Sequence, residues 1–120
     1  MPHPAISGHW AEQRTLRLLR QQGWRLLSRN WHCRWGELDL VMLKPQRLLV
    51  VEVKGRASMH HDGGGVAALR SAKRRRLERS IRCWLADHPD HDEAAIELVA
   101  ALVPLPPRRQ PVRWIRLSDW

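Results

Sequence analysis

The chain is organised around an alternation of hydrophobic and polar residues over positions 36–55. Leu38, Leu40 and Met42 alternate with Glu37, Asp39, Val41 and Leu43, which is the two-residue period of a strand. A second strand follows, with Leu49, Val51 and Val53 on one face and Leu48, Val50, Glu52 and Lys54 on the other. Between them lies Lys44-Pro45-Gln46-Arg47, with proline where a type I turn takes its fixed φ, so the segment predicts an antiparallel hairpin. Symmetric closure sets Leu43 opposite Leu48, Val41 opposite Val50, Asp39 opposite Glu52 and Glu37 opposite Lys54. A one-residue bulge would instead turn Glu52 away from Asp39.

Other periods predict the flanking elements. Residues 1–7, with prolines at 2 and 4, read as a loose arm whose Ser7 caps a helix running from Gly8 or His9 to Gln22. Gly23 ends that helix, and Glu12 falls in its first turn, where the helix dipole favours a carboxylate. Residues 24–32 predict a first strand that turns through Cys33-Arg34-Trp35-Gly36 into the hairpin. Residues 55–65 are a loop by composition, and their His60-His61-Asp62 cluster suits a flap beside a substrate channel better than a metal site. Residues 66–88 predict a second helix, ended by Pro89, with Val66, Leu69, Leu77, Ile81 and Trp84 on one side and Lys73 among them. Lys73 either snorkels from that side or reaches the carboxylates; Arg75, Arg79 and Arg82 lie opposite. Residues 95–103 and 112–117 predict two further strands, the last at a sheet edge. Trp10, Trp24, Trp84, Trp114 and the aliphatic strand faces are the expected core. The order predicts one α/β domain over 1–120, a mixed sheet flanked by helices in the order α-β-β-β-α-β-β.

Composition adds charge to this picture. Lys and Arg number 21 against 12 Asp and Glu, a formal charge of +9, which predicts a polyanionic partner, nucleic acid first. No apolar run approaches the roughly 18 residues of a membrane span and the N-terminus lacks a secretory pattern, so a cytoplasmic, membrane-independent protein is expected. Cys33 and Cys83 have no metal-ligand spacing and are expected to remain reduced thiols without assigned chemistry.

The hairpin carries the chemistry. Cross-strand Cβ atoms are about 4.5–5.5 Å apart, so Asp39 and Glu52 would repel unless a cation separates them. A divalent ion bound through their oxygens would do so, and Lys54 adds an ammonium two residues from Glu52 on the same face. Arg34, Arg56, Lys73, Arg74 and Arg76 are the candidate contacts to nucleic acid.

Asp39, followed after twelve residues by Glu52-Val53-Lys54, resembles the active-site pattern of the PD-(D/E)XK (restriction endonuclease-like) nuclease superfamily. A longer string is more specific: Gly8, Glu12, Gly23-Trp24, Asn30-Trp31, Gly36-Glu37-Leu38-Asp39-Leu40, Val51-Glu52-Val53-Lys54, Arg56, Val66, Lys73, Arg76-Leu77 and Trp84-Leu85. It resembles the bacterial YraN-like family of predicted endonucleases, similar to Holliday-junction resolvases. The resemblance implies a restriction endonuclease-like fold and hydrolysis of DNA phosphodiester bonds, branched or structured DNA included. It implies that Asp39, Glu52 and Glu12 ligate Mg2+ or Mn2+, that Asp39, Glu52 and Lys54 are catalytic, and that Lys54 orients water or stabilises the phosphorane. A resolvase-like enzyme would also need two sites and hence a homodimer. The alternative is a nucleic-acid-binding module that keeps the nuclease fold without turnover.

Overall fold

Five strands form one sheet in chain order, and a helix covers each face. The computed structural model describes residues 4–56 and 71–119. The elements are α1 (Pro4–Gln21), β1 (Arg25–Cys33), β2 (Gly36–Lys44), β3 (Arg47–Arg56), α2 (Ser71–Asp87), β4 (Ala95–Pro104) and β5 (Arg113–Asp119), with a 3-10 turn at Pro89–His91. Neighbours pair antiparallel except β3 and β4, which are parallel. A parallel pair needs a crossover, and α2 supplies it. The mixed α/β sheet and the element order are those the sequence predicts.

The two central strands, β3 and β4, are covered on both faces, which explains their nearly unbroken apolar runs. On one face α1 lays Ala11, Leu16 and Leu19 against Leu40, Met42, Leu49 and Val51. On the other, α2 lays Leu77, Ile81 and Trp84 against Val41, Leu48, Val50 and Leu98. The indole N–H of Trp84, buried at the centre of that second core, donates to Ser28 Oγ at 2.9 Å. Trp84→Phe keeps most of the apolar volume but orphans the hydroxyl and leaves a small void. It should destabilise the fold by about 1–3 kcal/mol in urea denaturation; an unchanged midpoint would mean that the bond contributes nothing.

Several expectations are corrected. The helix begins at Pro4 rather than Gly8, so residues 4–7 are not a loose arm; proline suits the first helical turn because its missing N–H would have no partner there. Glu12 is consequently a mid-helix residue, and the first turn holds no acid. Gln46 has φ 58, so the β2–β3 turn is not type I, whose central residues both have negative φ. Trp10 and Trp114 are 36% and 42% exposed, not core residues. Trp10 precedes Ala11 by one helical step and so points off the core face. Trp114 sits on edge strand β5, whereas α1 packs over β3, β4 and β1. The His60-His61-Asp62 flap, Val66 and Leu69 lie outside the described residues. Among the described residues, no helix is long and apolar enough to cross a membrane.

Candidate active site

The predicted register holds from Lys44↔Arg47 to Leu40↔Val51, where the pairing of β2 with β3 stops. Asp39 is the first residue beyond it. Its Oδ2 accepts the backbone N–H of Val53 at 2.8 Å, so a side chain takes over the bond that a strand carbonyl would otherwise provide. On the other side, Asn30 of β1 adopts φ 51, and Asn30 and Asp39 drop out of the β1–β2 register. The face pattern breaks at the same point: Leu40 and Met42 pack beneath α1, but Leu38 joins the core beneath α2. Asp39 thus sits where the ribbon bends and the strands part.

Glu52 follows Leu48 and Val50 on the α2 face and is buried. Two ammonium groups meet its Oε1: Lys73 Nζ from α2 at 3.2 Å and Lys54 Nζ from the same strand at 3.6 Å. Of the two sequence alternatives for Lys73, the structure selects the one that reaches the carboxylates. Burial first, and then the charge of Glu52, raise the Asp39 carboxyl from its usual 3.8 to about 7; the Val53 N–H opposes this, while Glu12 and Glu37 push further up. Burial, followed by the contact and charge of Lys73, pulls the Lys54 ammonium below its ordinary 10.5.

A cavity of about 200 Å³ opens onto Asp39, Glu52 and Lys73, though not onto Lys54, and is lined also by Trp35, Gly36, Glu37, Arg76, Leu77 and Ser80. The residues present fit a hydrated divalent ion. Burial and, after it, the charge of Glu52 disfavour the ionised Asp39 carboxyl, and a cation bound there would offset both. Among the described residues, no group of three or more His, Cys, Asp or Glu closes into a cage. That donor set suits magnesium, which keeps several waters and binds through one or two carboxylates, better than a dedicated zinc site.

The remaining candidates divide. Glu12, on α1, bonds Arg29 Nε at 3.3 Å, and its field reaches Asp39. Glu37, expected opposite Lys54, lies instead 3.9 Å from His32 Nδ1, because β2 pairs with β1 and not with β3 at that point. Arg76 lines the cavity with Lys73. Arg74 donates to the Leu117 carbonyl at 2.6 Å and ties α2 to β5. Arg56 closes β3, where its carbonyl accepts the Leu105 N–H. Arg34 lies 4.7 Å from the centre of the Trp35 ring, and Arg79, read from sequence as an outward helix residue, lies 4.8 Å from it. Trp35 escaped the sequence reading because a tryptophan in a short turn carries no motif.

Residues 11–102 match the family described as "Uncharacterised protein family UPF0102". The chain belongs to the UPF0102 family. A UPF0102 protein of Prochlorococcus marinus (strain MIT 9303) is 57% identical over 112 residues, covering 93% of this chain and 89% of that one. One from Synechococcus sp. (strain CC9902) is 52% identical over 119 residues, 99% of this chain and 98% of its own. A UPF0102 protein of Bordetella avium is 52% identical over 79 residues, 66% of this chain and 54% of its own. The YraN-like resemblance therefore stands as family membership, and the matched UPF0102 segment contains Glu12, Asp39, Glu52, Lys54 and Lys73.

Proposed function

We propose that this protein is a Mg2+- or Mn2+-dependent endonuclease of the PD-(D/E)XK type, cytoplasmic, hydrolysing phosphodiester bonds in DNA and suited to branched or structured forms. The observation that carries the reading is the convergence of Asp39, Glu52, Lys54 and Lys73 where β2 leaves β3, beside an open cavity. Asp39 and Glu52 would hold the ion. A bound divalent cation lowers the pKa of water and neutralises charge developing on phosphate oxygens. Lys54 holds a proton at Nζ beside Glu52, placed to orient water or to meet a phosphate oxygen. Lys73 and Arg76 supply fixed positive charge along the cavity, where partial exclusion of water strengthens it. Action on both strands of a branched substrate would require two such sites, and so a symmetric pair of chains.

Isothermal titration should show magnesium or manganese binding to the native protein and its loss in Asp39→Ala or Glu52→Ala. Indistinguishable titrations would remove the metal site. The decisive assay is cleavage of a panel of duplex, nicked, flapped and four-way DNA, with Glu52→Ala as the control. Metal-dependent products made by the native protein and absent from the control support the reading. The competing one, a nucleic-acid-binding module without turnover, is favoured by the charge of +9 and by two lysines already balancing Glu52. It predicts binding with a steep salt dependence and intact DNA in every lane.

A further inference from the structure

Trp35 stands in the two-residue turn that joins β1 to β2, between the paired residues Cys33 and Gly36. The turn is pinned in place. The backbone N–H of Trp35 donates to Cys33 Sγ at 3.4 Å, and the Cys33 thiol donates to Ser80 Oγ of α2 at 3.6 Å. Gly36, at φ 146, runs so close to α2 that a Cβ there would stand 3.5 Å from the same Ser80 Oγ. These contacts hold the half-buried indole beside α2, on the wall of the cavity that also opens onto Asp39 and Glu52.

Two guanidinium groups approach this one ring, Arg34 at 4.7 Å and Arg79 at 4.8 Å from its centre, and both arginines are exposed. Like charges gathered on a single aromatic repel one another, and the attraction of exposed guanidinium groups to a ring is small. A polyanion lying between them relieves the repulsion. An aromatic face flanked by cations is how nucleic-acid strands are held without sequence readout: the base stacks and the backbone is neutralised.

We propose that Trp35, framed by Arg34 and Arg79, is a nucleobase-stacking site that receives an unpaired nucleotide of DNA whose neighbouring phosphate lies at Asp39 and Glu52. The placement of that phosphate rests on the nuclease reading; the stacking itself does not. A base entering the site displaces one guanidinium from the ring, and the freed arginine keeps its charge within reach of the backbone. A fully paired duplex hides both faces of every base inside its stack except at its two ends, so the site selects DNA with unpaired nucleotides, such as flaps, gaps and branch points.

The test is fluorescence anisotropy of the full chain, without divalent metal, on a labelled duplex carrying a single-stranded flap and on the fully paired duplex of the same sequence. Trp35→Ala should weaken binding to the flapped probe by roughly 5- to 100-fold and leave the paired probe within about twofold, while Trp35→Phe should retain most of the affinity. A flap with an abasic position should weaken the native protein to a similar extent, a measurement that does not depend on the folding of a variant. Equal effects of Trp35→Ala on both probes, or full affinity for the abasic flap, would overturn the proposal. Native protein that binds neither probe overturns it as well. Flap-selective binding through Trp35 with no cleavage in any metal upholds the stacking site and removes only the nuclease reading.

Discussion

Replacing Lys54 with alanine should leave magnesium and DNA binding intact and still slow turnover by roughly 100- to 1000-fold, about 2.7–4 kcal/mol by comparison with other preorganised donors. Turnover is the readout that separates chemistry from charge balance at this position. If Lys54 served only to offset Glu52, turnover at saturating magnesium would survive its loss, because the metal replaces the charge. Lys73 already sits closer to the same oxygen, 3.2 Å against 3.6 Å, so Glu52 stays compensated in the variant. The melting temperature of metal-free Lys54→Ala should therefore move little. Lys54→Arg should not rescue turnover, because a planar guanidinium reaches differently and is too basic to exchange a proton near neutrality. Native turnover by Lys54→Ala at saturating magnesium would remove the lysine from the catalytic group and leave the two carboxylates alone.

The second large effect is a dependence of metal-free stability on pH, carried by Asp39. Its carboxyl titrates near 3.8 in the unfolded chain and at about 7 in the folded one. Between those values the folded protein binds more protons than the unfolded chain, so stability falls as pH rises through the window and levels off above it. Full development of this single group amounts to about 4 kcal/mol. Asp39→Asn should flatten the fall and make the metal-free protein more stable than the native one at pH 8, measured by urea denaturation across pH. Magnesium should reverse the order: it competes with the proton for the same carboxylate, so it should stabilise the native protein far more at pH 8 than at pH 5.5 and the Asn variant at neither. If both proteins show parallel stability profiles, the burial and the Glu52 charge that raise Asp39 are not felt in solution.

Much of the frame was legible in the sequence because it depends on neighbours along the chain. The alternation of Leu48, Val50 and Glu52 against Leu49, Val51 and Val53, with a proline turn before it, specifies a hairpin and its register from local sterics alone. The register held as far as Leu40↔Val51 although the turn type did not, since two central residues separate Lys44 from Arg47 in either case. The helical side of Leu77, Ile81 and Trp84 was likewise readable from a 3.6-residue period and is the side that packs. The nearness of Asp39 to Glu52 also followed, because a short hairpin brings its own residues together.

What the tertiary structure alone decided involves residues from different elements. The parting of β2 from β3 at Asp39, with Asn30 bent beside it, involves two partner strands at once, and no periodicity encodes it. The arrival of Lys73 at Glu52, rather than of an arginine one step away on the same helix, depends on how the crossover seats α2 on the sheet. Arg74 drawn to the Leu117 carbonyl and Arg79 laid against Trp35 are outcomes of that same docking, and Glu12 drawn to Arg29 is an outcome of the docking of α1. Trp10 and Trp114 show the converse: size and apolarity predict core positions for both, yet one helical step and one edge strand leave them exposed. Sequence specifies which face of an element is apolar through contacts a few residues apart. Which charged side chain meets which is specified only when packing brings distant segments within a few ångströms, where Coulombic and hydrogen-bond energies become large enough to matter.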